Sequence, residues 1–183
     1  EPVLDTTGSF TVEPVSNSFS TSQNIKSSWF TFTNIGGLTI GKETNVQDVT
    51  INEALTVAGD VSVYGGSILL DAAITATGGS ILLDADTGTG LTTGKHGIDL
   101  RANLTTTTSG DITLLGRSGN GAVARLRGVT NVETDGTVHA VTISSAGDLT
   151  VNGISESTDG DATRGVWFSG ATLAADTNLS ISG

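Results

Sequence analysis

The chain has 183 residues, with 8 Lys plus Arg against 19 Asp plus Glu and a net charge of -11. That field repels nucleic-acid phosphates and anionic lipid, so neither is expected as a partner. With no cysteine there is neither a disulfide framework nor a thiolate metal site, and no apolar run approaches the ~20 residues of a transmembrane helix.

Residues 1–35 hold both prolines, Pro2 and Pro14, and five of the eight aromatics: Phe10, Phe19, Trp29, Phe30 and Phe32. This opening reads as a cap or a wider first coil, because the end of a strand stack exposes unpaired edges that need covering. From residue 15 onward no proline removes a ladder donor, as continuous strand pairing requires. One phrase then recurs: a glycine, a small or acidic residue, and apolar, polar, apolar. It stands at Gly37-Leu38-Thr39-Ile40, Gly59-Asp60-Val61-Ser62-Val63, Gly97-Ile98-Asp99-Leu100, Gly110-Asp111-Ile112-Thr113-Leu114 and Gly147-Asp148-Leu149-Thr150-Val151. Period-two alternation signals a strand with one buried face. The Gly-Asp before it is turn chemistry, with Asp expected to bond its own local backbone.

The octapeptide Gly65-Gly66-Ser67-Ile68-Leu69-Leu70-Asp71-Ala72 returns unchanged as Gly78-Gly79-Ser80-Ile81-Leu82-Leu83-Asp84-Ala85. Such self-similarity marks a repeat architecture whose units stack to bury their apolar faces. Matching copies are expected to lie one above another. Between Thr33 and Val166 the only aromatic is Tyr64, so the interior is expected to be aliphatic and narrow. The glycine starts at 37, 59, 79, 110 and 147 imply first turns of 22 and 20 residues. The longer gaps after them are either single coils with side loops or two coils with one degenerate start. Residues 84–97, 116–128 and 155–168 read as corner loops. The pattern predicts an all-β, right-handed parallel β-helix (β-solenoid), with residues 36–183 as its repeats and no second domain.

The segment Gly36-Gly37-Leu38-Thr39-Ile40-Gly41-Lys42, followed by Asp48-Val49-Thr50-Ile51 and by Leu55 to Gly66, resembles the parallel β-helices of large secreted bacterial surface proteins. Filamentous haemagglutinin-like and autotransporter-like adhesins are the best-known members, and Gly110 to Leu114 is similar to their recurring coil. The resemblance covers most of residues 36–183. It implies export to the bacterial cell surface, a long fibre, and roles in adhesion or biofilm. Partners would be neighbouring repeats of the same chain or a host or environmental surface, including glycan; in the alternative reading the chain is a self-assembling extracellular filament subunit that stacks end to end on copies of itself. The absence of Cys is compatible with an exoprotein that crosses membranes unfolded. Beginning Glu1-Pro2, without methionine, and stopping at Ser182-Gly183 in mid-pattern, the chain reads as a processed product or a piece of something longer.

Chemistry-bearing residues are few. Pairs of carboxylates one residue apart, Asp84 with Asp86 and Asp159 with Asp161, offer oxygen ligands for Ca²⁺; no other cofactor is expected. His96, in a Gly-flanked turn, and His139, in the strand-like Thr137-Val138-His139-Ala140-Val141, are expected to face solvent. No Gly-x-Ser-x-Gly elbow or phosphate loop occurs, and no catalytic residue is assigned. The enzyme alternative is a β-helix polysaccharide lyase or glycosidase, which would gather carboxylates such as Asp84, Asp86, Asp99, Asp159 and Asp161 beside Arg101, Arg125, Arg127 or Arg164. Adhesive contacts are expected from Lys95, His96, Arg117, Arg125, Arg127, Arg164 and Trp167. Thr105-Thr106-Thr107-Thr108 raises ice binding, against which the uneven spacing of threonines along the chain speaks.

Overall fold

The computed structural model describes residues 3–26, 31–33, 35–85, 94–121, 125–158 and 163–183. Every element in them is a β-strand. Ile, Val, Leu and Thr supply strand propensity, and the alternation is right for one buried face. The strands come in threes. After β1 (Val3–Asp5), the first turn holds β2 (Ser9–Val12), β3 (Gln23–Ile25) and β4 (Thr31–Thr33). The second holds β5 (Gly37–Ile40), β6 (Val49–Ile51) and β7 (Leu55–Val57), and the third β8 (Asp60–Tyr64), β9 (Ile68–Leu70) and β10 (Ile74–Ala76). Then follow β11 (Ile81–Ala85), β12 (Ile98–Leu100) and β13 (Leu104–Thr106), and next β14 (Ile112–Arg117), β15 (Arg127–Thr130) and β16 (Thr142–Ser145). The last described turn holds β17 (Leu149–Ile154), β18 (Arg164–Trp167) and β19 (Thr172–Ala175), and β20 (Leu179–Ser182) starts one more.

Each pairing between these strands joins a strand to the third one after it, and all are parallel. The result is three parallel sheets of seven, six and five strands, plus the pair β1–β4. This is the arrangement of a β-solenoid. In the seven-stranded sheet Phe10, Leu38, Val61, Ile81, Ile112, Leu149 and Leu179 stand in register. A full turn therefore takes 20 residues from Val61 to Ile81 and 37 from Ile112 to Leu149. The long gaps are single coils with side loops. The extra residues leave at corners, where a solenoid tolerates insertion.

The interior is aliphatic, as expected. Ile51, Val63, Leu70, Ile74, Leu83, Leu100, Ile112 and Val151 are among its fully buried members, and Phe10 and Phe168 pack against its margins. Near one corner the interior turns polar. Buried Thr106 donates to Gly110 O at 2.6 Å, and buried Ser145 to Gly110 O at 3.1 Å and Asp148 O at 2.8 Å. Buried hydroxyls persist only with such partners.

Three expectations are corrected. The identical octapeptides do not stack: one supplies β9 and the other β11, on different sheets of adjacent turns. Each copy runs through a Gly-Gly-Ser corner into a strand, but at different corners of the section. Ile68 rests on Val49, and Ile81 on Val61. Second, the acidic residue of the phrase does not serve its own turn. Asp60 Oδ1 accepts the N–H of Ser80 at 2.8 Å, Ser80 Oγ that of Asp111 at 3.0 Å, Asp111 Oδ1 that of Asp148 at 2.8 Å, and Asp148 Oδ1 that of Asn178 at 3.1 Å. A side-chain ladder thus clamps turn to turn along one exposed corner. Third, Thr137–Val141 is not a strand but part of an excursion between β15 and β16, folded on itself by Glu133 N–H to Thr137 O and His139 N–H to Asn131 O.

The outward threonines regain a regularity that their sequence spacing hides. Thr11, Thr39, Ser62, Leu82, Thr113, Thr150 and Ser180 form one column in register. Leu82 interrupts it, whereas in the five-stranded sheet, which holds Thr105 of the four-threonine run, Thr56, Thr75, Thr105 and Ser144 stand one above another.

The ladder yields a graded expectation. Asp111→Ala removes an acceptor for an inter-turn N–H and is expected to cost about 1 kcal/mol. Asp111→Asn keeps an acceptor and removes one of two like charges on adjacent rungs, so it should be neutral or stabilising, most at low salt. Urea melts of both variants at two ionic strengths check the order.

Candidate functional site

The site with most polar chemistry lies on the outer face of the six-stranded sheet. Its floor is the outward column Thr50, Leu69 and Asp99, one residue each from β6, β9 and β12. One wall is Gly94, Lys95 and His96, just before β12; the other is Glu133 and Thr134 from the excursion after β15. Asp48, Ser67 and Arg101 complete a cleft of about 330 Å³. Alternation puts Asp99 and Arg101 in line with their neighbours, and the side loops of the longer turns raise the walls.

An ion network braces the cleft. Arg101 bonds Asp99 Oδ2 from Nη2 at 3.0 Å and lies 3.4 Å from Glu133 Oε2 and 3.7 Å from Asp71 Oδ1. Glu133 in turn meets His139 Nε2 at 2.7 Å, so His139 is a partnered side chain of the loop. Lys95 pairs with Asp48. Asp99 is 8% exposed, and burial pushes its carboxyl above the usual range although Arg101 draws it down.

His96 overturns its expectation of solvent exposure: it is 6% exposed. Its Nδ1 accepts the N–H of Arg127 at 3.2 Å. Burial, and then the charges of Arg127 and Arg101, lower its pKa to about 4, so the ring is neutral at pH 7. With Nδ1 accepting, the ring proton sits on Nε2.

Polar groups are left over here. His96 Nε2, Asp99 Oδ1 and Asp48 Oδ1 are buried with no hydrogen-bond partner among the described residues. Such atoms are rare, because each costs about 1–3 kcal/mol when unpaired.

The other sequence-predicted residues scatter. Arg127 is fully buried, not on the surface: its Nη1 donates to Val132 O at 2.8 Å and its guanidinium lies 3.8 Å from the centre of the Trp167 ring. Arg164, exposed on the adjacent rung, lies 4.2 Å from the same ring. Trp167 is thus half-buried between cations, an arrangement that favours both charges over the ring face, while Phe168 packs on the core. Arg117 ends β14, paired with Glu156. Arg125 is exposed at a positive φ of 64°. Of the calcium pairs, Asp84 lies in β11, while Asp86, Asp159 and Asp161 are outside the described residues. Among the described residues no group of three or more His, Asp or Glu forms a metal cradle, and no helix is long and apolar enough to cross a membrane.

The Asp99–Arg101 pair was legible as a carboxylate beside a base. Asp48, Leu69 and Glu133 were not, because they reach the cleft from other turns. The readable signal was the outward position in each strand, which becomes a place only once the register is known.

No family model matches the chain, nor does any curated protein or any solved structure.

Proposed function

We propose that the chain is a structural and adhesive segment of an exported bacterial surface fibre, a right-handed parallel β-helix whose aromatic-rich opening, residues 1–35, is a cap or wider coil. The observation that carries this reading is the pairing of each strand with the third one after it. Every turn adds ~4.8 Å to a stiff stack without changing its section, and side loops of any length project at fixed heights. What supports the right hand is the strand twist, which favours right-handed connections between parallel strands of one sheet. At the upper edge of the seven-stranded sheet Leu179 and Ile181 occupy the inward columns of Leu149 and Val151 and are 51% and 48% exposed, and a second copy stacked end to end would cover them. Attachment to a cell or environmental surface needs no catalytic residue or cofactor, and the acidic surface makes nucleic acid an unfavourable partner. Ca²⁺ at Asp84 with Asp86, or at Asp159 with Asp161, stays a minor proposal.

Labelling of intact producing cells with an antibody to this segment is the test. Surface signal, and loss of attachment when the segment is deleted, is the expected result; signal only after lysis would overturn the reading.

A second reading has one observation in its favour. The cleft gathers Asp48, Asp99 and Glu133 beside Arg101 on an outer strand face, as a glycan lyase or glycosidase would require. Release of reducing ends from polysaccharide, lost in Asp99→Asn, would favour it over attachment.

A further inference from the structure

The cleft combines features that each select a ligand. Its unpartnered buried atoms are of both kinds: a donor, His96 Nε2–H, and two acceptors, Asp99 Oδ1 and Asp48 Oδ1. A hydroxyl accepts one hydrogen bond and donates another, so a polyhydroxylated molecule satisfies this mixture, whereas a simple anion would leave both acceptors unmet. The charge argues the same way. Among the lining residues Asp48, Asp99 and Glu133 outnumber Lys95 and Arg101 by one, and the chain as a whole carries a net charge of -11, so a carboxylated or sulfated ligand meets a repulsive field from the molecule. Leu69 interrupts the polar floor with an apolar patch, against which the C–H face of a sugar ring can lie. A volume of about 330 Å³ is at the small end of ligand sites, ~300–1,000 Å³.

We propose that this cleft on the outer face of β6, β9 and β12 binds a short stretch of neutral saccharide, with sugar hydroxyls bridging His96 Nε2–H and the free oxygens of Asp99 and Asp48. The inference deepens the attachment reading by placing the contact on a strand face walled by the loops at 94–96 and 133–134.

The test uses the full chain, ¹⁵N-labelled, titrated with a panel of neutral and uronate-containing tri- to hexasaccharides. The His96 ring is followed by NMR, and binding by calorimetry. The expected result is that at least one neutral member moves the His96 Nε2–H resonance, and that its uronate counterpart binds at least about tenfold more weakly. Leu69→Arg blocks the floor from its outward side, so the fold is preserved; it should lower affinity about tenfold or more. Asp99→Asn, which keeps an acceptor, should lose less. Three results would overturn the proposal: no saccharide moving the His96 resonance, uronates binding as well as neutral sugars, or binding unaffected by Leu69→Arg. Each leaves the surface-labelling result untouched, so failure of the cleft and failure of the fibre reading are separable.

Discussion

Gly128→Ala is expected to remove about 3 kcal/mol of stability, a fall in melting temperature of roughly 10 °C for a chain of this size. The reason is a column of glycines where the seven- and six-stranded sheets meet. A β-carbon at Gly128 would stand 2.5 Å from Gly116 O and 2.6 Å from Gly153 Cα, and would press on Ile154 N. All three are backbone atoms held in the ladders of β14 and β17, so none can swing aside as a side chain would. Gly116, Gly153 and Gly165 meet backbone across the same seam. The interior here is closed by main chain against main chain, with no room for a methyl group. Gly170→Ala is the contrast. It has a positive φ of 62° but nothing within 4 Å, so it should cost only the ~1 kcal/mol of a left-handed non-glycine residue. Thermal melts followed by far-UV circular dichroism decide it. A Gly128→Ala protein melting with the wild type would mean that the two sheets do not touch there.

Acid should weaken the fold through His96. An unfolded histidine titrates near 6.5, whereas His96 in place has a pKa of about 4. Between those values the unfolded chain holds the proton and the folded chain does not. Stability contributed by the neutral ring is therefore full above about pH 6.5 and lost as pH falls toward 4, by about 3 kcal/mol in all. Burial is the main cause; Arg127 and Arg101 reinforce it, and Glu133 opposes it. Asp99 works in the other direction. Its raised pKa means that the folded chain takes up that proton first, so acid returns part of what His96 loses. His96→Asn removes the titrating ring yet leaves an oxygen to accept the Arg127 N–H. Its urea midpoint should depend clearly less on pH between 7 and 4 than that of the wild type. Parallel profiles would show that His96 is not buried and neutral.

These effects are the tertiary structure's own. Nothing in the order of residues around Gly128 announces that Gly116 and Gly153 face it, since one comes from another strand of the same turn and the other from the next turn. His96 reads as a turn residue between Lys95 and Gly97, and only the wall it forms over β12 takes it out of water. Arg127 looks like a surface cation until Trp167, on the next rung, receives it. In each case a deciding neighbour lies a turn away, at a distance along the chain set by loops of unequal length.

The sequence by itself determined the kind of object. Alternation at Val61-Ser62-Val63 or Leu149-Thr150-Val151, glycine before the strands, and Tyr64 as the only aromatic between Thr33 and Val166 are local facts, and strands, corners and an aliphatic core follow locally from them. The register was decided only by the fold. Parallel pairing joins residues 19 to 39 positions apart, so which Asp clamps which N–H, where the identical octapeptides sit, and which carboxylates gather around Arg101 depend on how much chain each corner spends. Turn-to-turn hydrogen bonds and the closed glycine seam select that register, because a slip of one residue would turn every aliphatic side chain from the interior to water.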